Sequence, residues 1–337
     1  MPPADFQTFW QSQPLPSSHQ VLHQSIVPSL LTSISKIGAS LRQSHHVSSA
    51  GTANPFGDDQ LNVDVLAESI IRASLAECPS VVTASSEEDP VERPVQHQPE
   101  SESNLAEKYT VTFDPLDGSS IIAPNWSVGT IIGIWQGESA LSQLPSKKQI
   151  AAILGVYGPR TTAVVAVRIP DSQTICVEVG LSDSGLHDCQ VIRELVRLAS
   201  PPFGTRYFAP ANLRAAADDE KYMKLVTYLI QSKYTLRYSG GLVPDVVHAL
   251  VKGHGVYLSP VTVQSKAKLR KLFELFPIAL IVECSGGKAI DPLNGKDILD
   301  QPVADCDERG GLVCGNSDDV ELAKYHFGLG QHQEAPN

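Results

Sequence analysis

Residues 109–120, YTVTFDPLDGSS, decide how this chain is read. YTVTF is built of β-branched and aromatic residues and predicts a strand that ends at Asp114. Two carboxylates, Asp114 and Asp117, then stand three positions apart, with Pro115 fixing the backbone between them and Gly118 permitting a tight turn. At a strand end both can face one hard cation, with the Leu116 carbonyl as a third oxygen. Mg2+ takes such oxygen ligands and keeps waters and substrate phosphates in its shell. The backbone N–H groups of Gly118, Ser119 and Ser120 can open a nest that accepts phosphate oxygens. An Asp-rich turn is the plain alternative; the β-run before it and the Ser-Ser after it favour the chemical reading.

Working outward, SVGTIIGIW (127–135), ILGVY (153–157), TAVVAVRI (162–169) and TICVEV (174–179) are further strands. Upstream, residues 81–84 (VVTA) are a strand candidate that runs into Glu87-Glu88-Asp89. Adjacent acids on a loop are usually solvated charge. Two neighbouring parallel strands, however, would bring this cluster to the same edge as Asp114, where ligands of open α/β sheets collect. Asp58, Asp59 and Asp64 sit at a turn and a helix start, where capping is the plain reading for the first two. Between the acidic clusters, residues 85–108 are acidic and rich in Pro, Gln and Ser, an exposed excursion.

Apolar residues recur at helical spacing over 21–41, with Pro28 placed to kink the first turns, and again over 62–75. Residues 2–18 hold four prolines and read as a loose arm. Beyond a turn-rich stretch near 180–190, residues 193–200, 220–231 and 242–252 read as helices, and 234–238, 255–258 and 280–283 as strands. This alternation predicts an α/β or α+β layered fold.

With 337 residues the chain is two domains or one large one. Its 42% apolar and 19% charged residues exclude collagen, coiled coil and bulk disorder. Apolar runs fall far short of the roughly 20 residues a spanning helix needs, so no membrane partner is expected. Acids outnumber bases 37 to 26, giving a charge of −11, and Lys and Arg form no cluster, so no nucleic-acid partner is expected. An anionic small substrate needs local bases or a metal to offset that field. Six scattered cysteines show neither CxxC nor zinc spacing and read as small buried hydrophobes of a reducing compartment. The N-terminus lacks a basic and an apolar leader region, and a cytoplasmic location is expected.

FDPLDGSS, the SSEED before it and SVGTIIGIW after it resemble the class I fructose-1,6-bisphosphatase family. The resemblance continues through GDDQLNVDVLAES, YGPRTT, NLR, YTLRYSGGLVPDVVHALV, KAKLRKLFE and ECSGGKA. FGDDQLNVD, YGPRTT, PANLR and KYTLRYSGGLVPDV favour the branch whose substrate is sedoheptulose 1,7-bisphosphate. The resemblance implies the layered α-β-α-β-α sugar phosphatase sandwich. It divides the chain into an arm (1–18), a metal- and phosphate-binding domain (19–182) and a sugar-phosphate-binding domain (183–337).

It further implies that Glu87, Glu88, Asp114, Asp117, Glu274 and the Leu116 carbonyl hold two or more Mg2+ ions per subunit, with Mn2+ as a substitute. Asp64 and Glu88 orient or deprotonate the attacking water, and Asp58 sits on a mobile loop closing over the metals. Asp117, Gly118, Ser119 and Ser120 hold the departing phosphate. Asn212, Tyr238, Lys268 and Arg237, the last from a neighbouring subunit, hold the sugar and its distal phosphate. A homo-oligomer, dimer or tetramer, follows by the same analogy. Read without the resemblance, Arg237 is a surface ion pair, and Lys268 and Arg270 are a solvated helix face.

The chain also departs from the family. Ala123 stands where relatives commonly carry an acid, and Ser259 and Ala215 replace tyrosines near the phosphate pocket, which implies more room for a seven-carbon sugar. The AMP-binding turn is missing although Lys108-Tyr109 matches part of that site, so strong AMP inhibition is not expected. The N-terminal cysteine pair of light-regulated plastid relatives is absent, the first cysteine being Cys78, which argues against thioredoxin control. The expected activity is Mg2+-dependent hydrolysis of the 1-phosphate of sedoheptulose 1,7-bisphosphate. The alternatives are fructose 1,6-bisphosphate or both sugars, and, from another class, a catalytically retired binding protein, against which the intact carboxylates argue.

Overall fold

The computed structural model describes residues 4–53, 59–97 and 106–329. Nine strands form one sheet: Ala4–Asp5 (β1), Val81–Ser86 (β2), Arg93–Pro94 (β3), Tyr109–Asp117 (β4), Val128–Gln136 (β5), Gln149–Tyr157 (β6), Thr161–Val167 (β7), Ile175–Gly180 (β8) and Gln190–Arg193 (β9). Their spatial order is β1-β9-β8-β7-β6-β5-β4-β2-β3. Neighbours run antiparallel except β2 and β4, which are parallel, as the placement of the acidic clusters required.

Ile132, Ile134, Ile153 and Val165 point from this sheet toward helices Val27–Gln43 (α2) and Asn62–Ala76 (α3), while Ile131, Trp135, Leu154 and Val164 point the other way. Burial on both faces explains why these strands read as continuous apolar runs rather than alternating ones. The second face carries helices Leu242–Lys252 (α6) and Phe276–Cys284 (α7). Those helices also cover a five-stranded sheet of Tyr207–Pro210 (β10), Thr235–Leu236 (β11), Val256–Ser259 (β12), Lys288–Ile290 (β13) and Leu312–Gly315 (β14), in the order β11-β10-β12-β14-β13. Helices Glu220–Gln231 (α5) and Ser317–His326 (α8) close its far side through Tyr222, Leu225 and Val320. The layers therefore run α-β-α-β-α.

Local expectations fail where burial overrides pattern. Residues 280–283, expected as a strand, lie inside α7, whose residues Phe276 to Val282 are all buried; a run apolar on every side carries no period to separate the two states. Residues 193–200, expected as a helix, are not helical: Arg193 ends β9 and 194–200 take no regular structure, with Val196 and Leu198 buried and Leu195 62% exposed. Their backbone reaches Cys176 and Ser285 instead of itself. The segment read as a loose arm forms helix Phe6–Gln11 (α1), capped by Asp5 and anchored by buried Phe6 and Trp10. At Pro28, which has no N–H to donate, the helix continues, but the preceding turn Leu22–Ile26 is widened. Five of the six cysteines are buried thiols and the sixth, Cys284, is half-buried. No helix among the described residues is long and apolar enough to cross a membrane.

Candidate active site

The acidic clusters meet where β2 and β4 end side by side. Ser86 pairs with Phe113, and the Glu87 N–H donates to the Phe113 carbonyl at 3.0 Å, so Glu87 leaves the sheet beside Asp114. Asp114, Asp117 and Glu274 are buried and offer carboxylate oxygens that all lie within 4.8 Å of one another. Glu274 reaches them from the widened turn Lys271–Leu275 that leads into α7. Asp114 Oδ1 accepts from the Leu116 N–H at 3.0 Å, closing the turn that Pro115 stiffens. Asp117 accepts from the first amides of α6, Leu242 at 3.3 Å and Val243 at 2.7 Å, the positive end of that helix.

Gly118 follows at φ +92°, a left-handed conformation that L side chains rarely adopt, and starts the single turn Ser119–Ile122 (α4). Asp64 enters from the first turn of α3. Its Oδ2 caps the Leu61 N–H at 3.0 Å, and its Oδ1 is buried with no partner among the described residues. Glu88 is half-buried beside it and accepts from Gln60 Nε2 at 2.5 Å. Asp89 turns away to Arg93 at 2.7 Å. Asp58 lies outside the described residues.

Electrostatics report the same convergence. Burial first, then neighbouring acids, hold Asp114 and Glu274 far above the ordinary carboxylate range. Burial lifts Asp117 to about 7 against the two α6 amides, which pull it down. Burial likewise lifts Asp64 to about 6 and Glu88 to about 7, each further raised by the acids around it.

Three groups of this site were given no functional role from the sequence. Arg270, expected on a solvated helix face, is 2% exposed on the short strand Leu269–Arg270; its guanidinium donates to Glu87 and, at 3.2 Å, to Asp307. Glu68, one helical turn after Asp64, is a half-buried acid raised by desolvation, bonded to Arg72 at 2.5 Å and Ser86 at 2.9 Å. The spacing Asp64, Glu68, Arg72 along one face of α3 was the available signal. Asp245 braces the turn before α6 by accepting from the Ser239 and Gly240 amides at 2.7 and 3.2 Å.

Asp64, Glu68, Glu87, Glu88, Asp114, Asp117 and Glu274 gather here against the guanidiniums of Arg72 and Arg270. Buried and half-buried carboxylates in such excess, with the Asp64 oxygen orphaned, fit hard divalent cations, which take oxygen donors of this kind.

Beside the acids opens a concavity of about 480 Å3 walled by Ser120, Asn212, Tyr238, Ser259 and Lys268. Ala215 is not on that wall: it is fully buried against α5, so the extra room expected from two replaced tyrosines rests on Ser259 alone. Arg237 instead lines a neighbouring hollow of about 730 Å3 and stacks over the Tyr207 ring at 5.7 Å.

A five-layer sandwich that sets a buried carboxylate cluster next to a cationic hollow has the architecture of a metal-assisted sugar phosphatase. The N-terminal domain model of fructose-1,6-bisphosphatase matches residues 14–175 and its C-terminal domain model residues 202–327. The chain belongs to the fructose-1,6-bisphosphatase family. It is 37% identical over 283 residues to the chloroplastic sedoheptulose-1,7-bisphosphatase of Spinacia oleracea, covering 83% of this chain and 68% of that one. It is 38% identical over 277 residues to the class 1 fructose-1,6-bisphosphatase of Syntrophotalea carbinolica, covering 82% and 80%. Among solved structures, Leishmania major fructose-1,6-bisphosphatase superimposes with a TM-score of 0.80 at 25% identity, covering 97% of this chain and 99% of that one. These relatives are sugar bisphosphatases, that is, phosphoric monoester hydrolases.

Proposed function

We propose that this chain hydrolyses the 1-phosphate of sedoheptulose 1,7-bisphosphate in a Mg2+-dependent reaction. The observation that carries the reading is the buried triad Asp114, Asp117 and Glu274, contributed by residues 160 positions apart at its extremes (274 − 114). Glu87, Glu88, Asp114, Asp117, Glu274 and the Leu116 carbonyl hold the cations, for which Mn2+ offers the same oxygen preference. Bound there, divalent cations neutralise phosphoryl charge and make the attacking water more acidic.

The chain's own groups do the rest. Asp64 and Glu88, whose affinities for a proton sit near neutrality, orient the water and take its proton. The amides of Gly118, Ser119 and Ser120 receive the phosphate being released, next to Asp117. Asn212, Tyr238 and Lys268 stand around the adjoining hollow and receive the sugar and its second phosphate. Arg237, which does not line that hollow in its own chain, serves a partner subunit of a homo-oligomer. Six unpaired thiols support work in the cytoplasm.

Ser259 in place of a bulky ring supports the seven-carbon sugar; fructose 1,6-bisphosphate is the second reading, since small changes in a pocket alter selectivity by only about 1–3 kcal/mol. Phosphate release from the two bisphosphates across a Mg2+ titration tests both. A higher kcat/KM for the seven-carbon substrate is expected, and release from neither refutes the enzyme reading.

A further inference from the structure

Two residues of α3 that the reaction has not used, Glu68 and Arg72, meet the loop that carries Glu87 and Glu88. Ser86 ends β2 and is fully buried. Its N–H donates to the Asp89 carbonyl at 3.2 Å, and its Oγ accepts from the Asp89 N–H at 3.0 Å. Residues 86 and 89 thus close a loop whose two middle residues are Glu87 and Glu88. Glu68 Oε1 accepts from the Ser86 hydroxyl at 2.9 Å and from Arg72 Nε at 2.5 Å. Arg72 Nη2 stands 3.5 Å from both Ser86 Oγ and Asp89 Oδ2, so the helix meets the loop at both ends.

The plain reading is an i,i+4 helix pair, which is worth little on a surface. Three observations go against it. The Glu68 side chain is only 14% exposed. Its second oxygen, Oε2, is buried with no partner among the described residues. An orphaned acceptor costs stability, so this carboxylate is poorly suited to be a structural brace and nothing more. Finally, the Arg72 guanidinium carbon lies 5.7 Å from the centre of the Phe113 ring, the buried residue that precedes Asp114. The pair therefore touches three segments of the acidic centre: α3 with Asp64, the loop with Glu87 and Glu88, and the end of β4 with Asp114. A tie is needed there. Asp64, Glu87 and Glu68 surround Glu88 with like charge, and their repulsion favours splaying the loop away from the helix. Gln60 holds only the Glu88 carboxylate, whereas Glu68 and Arg72 hold the two ends of the loop.

We infer that Glu68 and Arg72 are positioning residues that fix the Glu87-Glu88 loop against α3, so that Asp64 and Glu88 act on the same water. Neither touches the reacting atoms; Glu68 acts through Ser86 and Arg72 through Asp89. The inference rests on the roles given above to Asp64 and Glu88.

The test compares the full-length enzyme with its Glu68→Ala, Ser86→Ala, Arg72→Met and Glu68→Gln variants, on fructose 1,6-bisphosphate and sedoheptulose 1,7-bisphosphate at saturating Mg2+. The first three should lower kcat about 10- to 100-fold and leave KM within about threefold. Glu68→Gln keeps an oxygen for Ser86 and Arg72 and should recover most of the loss. In a Glu88→Gln background, adding Glu68→Ala should cost less than about threefold more, because the loop no longer carries the group it aims. Unchanged kcat in Glu68→Ala and Ser86→Ala overturns the inference while the phosphatase reading stands. So does a loss of the same size with and without Glu88→Gln, which marks general weakening. Should the unaltered enzyme hydrolyse neither sugar, the phosphatase reading fails, and the Mg2+ dependence of the melting temperature decides the positioning role. A Mg2+ midpoint about 3- to 10-fold higher in Glu68→Ala and Ser86→Ala, restored in Glu68→Gln, supports it; midpoints equal to the parent's overturn it.

Discussion

Asp117 accepts a hydrogen bond at 2.7 Å from the backbone N–H of Val243, a residue 126 positions further along the chain. The contact seats a carboxylate of the acidic centre on the N-terminus of α6, the helix layer shared by both sheets. It is close enough to be sterically fragile: a Cβ on Gly129, opposite Asp117 on β5, would lie 2.4 Å from the Val243 Cβ.

Gly129→Ala therefore should push α6 off the sheet. A stability loss of about 1–3 kcal/mol is expected from overpacking. Denaturant unfolding measures it, and a loss of activity larger than that destabilisation explains would report displacement of Asp117. A variant as stable and active as the parent would contradict the close approach.

Asp114→Asn separates stability from chemistry. Burial and neighbouring acids already favour the uncharged form of Asp114, and an amide preserves the oxygen that accepts from Leu116. In EDTA the variant should melt at a higher temperature than the parent. With Mg2+ it should lose the parent's metal-induced rise in melting temperature, and its kcat should fall by at least about 10²-fold. Full activity would reject the metal role.

The pH dependence has an unusual sign for carboxylates. Asp64 at about 6, Glu88 at about 7 and Asp117 at about 7 are raised on folding, so folding favours their protonated forms. Their stabilising effect is fully present below the unfolded value near 4 and is lost as pH climbs through about 6 to 7. In EDTA the melting temperature should fall from pH 5 to pH 8 on this account. Added Mg2+ must displace those protons, so its stabilising effect should grow over the same interval. A melting profile indifferent to EDTA across that range would remove the basis for the cation site.

Arg270→Met strips the buried guanidinium from Glu87 and Asp307. Removing one partner of a buried pair costs about 3–5 kcal/mol. Because Glu87 lies among the acids, divalent cation should recover part of that loss. Urea unfolding in EDTA and in Mg2+ should therefore show a larger deficit in EDTA; equal deficits would place Glu87 outside the cation site.

How far the site was readable depends on where its information resides. The turn Asp114–Asp117, the Glu87-Glu88 pair and the notion that two parallel strands unite them were all visible, because a strand end, a proline and a glycine act within a few residues of one another. The burial of Arg270 was not, since its guanidinium meets Glu87, 183 positions away, and Asp307, neither of which is near it in sequence. Residues 280–283 of α7 were misread as a strand because total burial erases the periodicity that distinguishes the two.

Composition, strand and helix punctuation, and the order of the acidic motifs were thus settled by the linear chain: a layered α/β fold with carboxylates closing adjacent strands. What the tertiary structure alone decided is which charges are buried and against what. Hydrogen bonds, turn chemistry and periodicity act over a few residues, whereas desolvation and Coulomb energy depend on every group that packing brings within a few ångströms, whatever its place in the sequence.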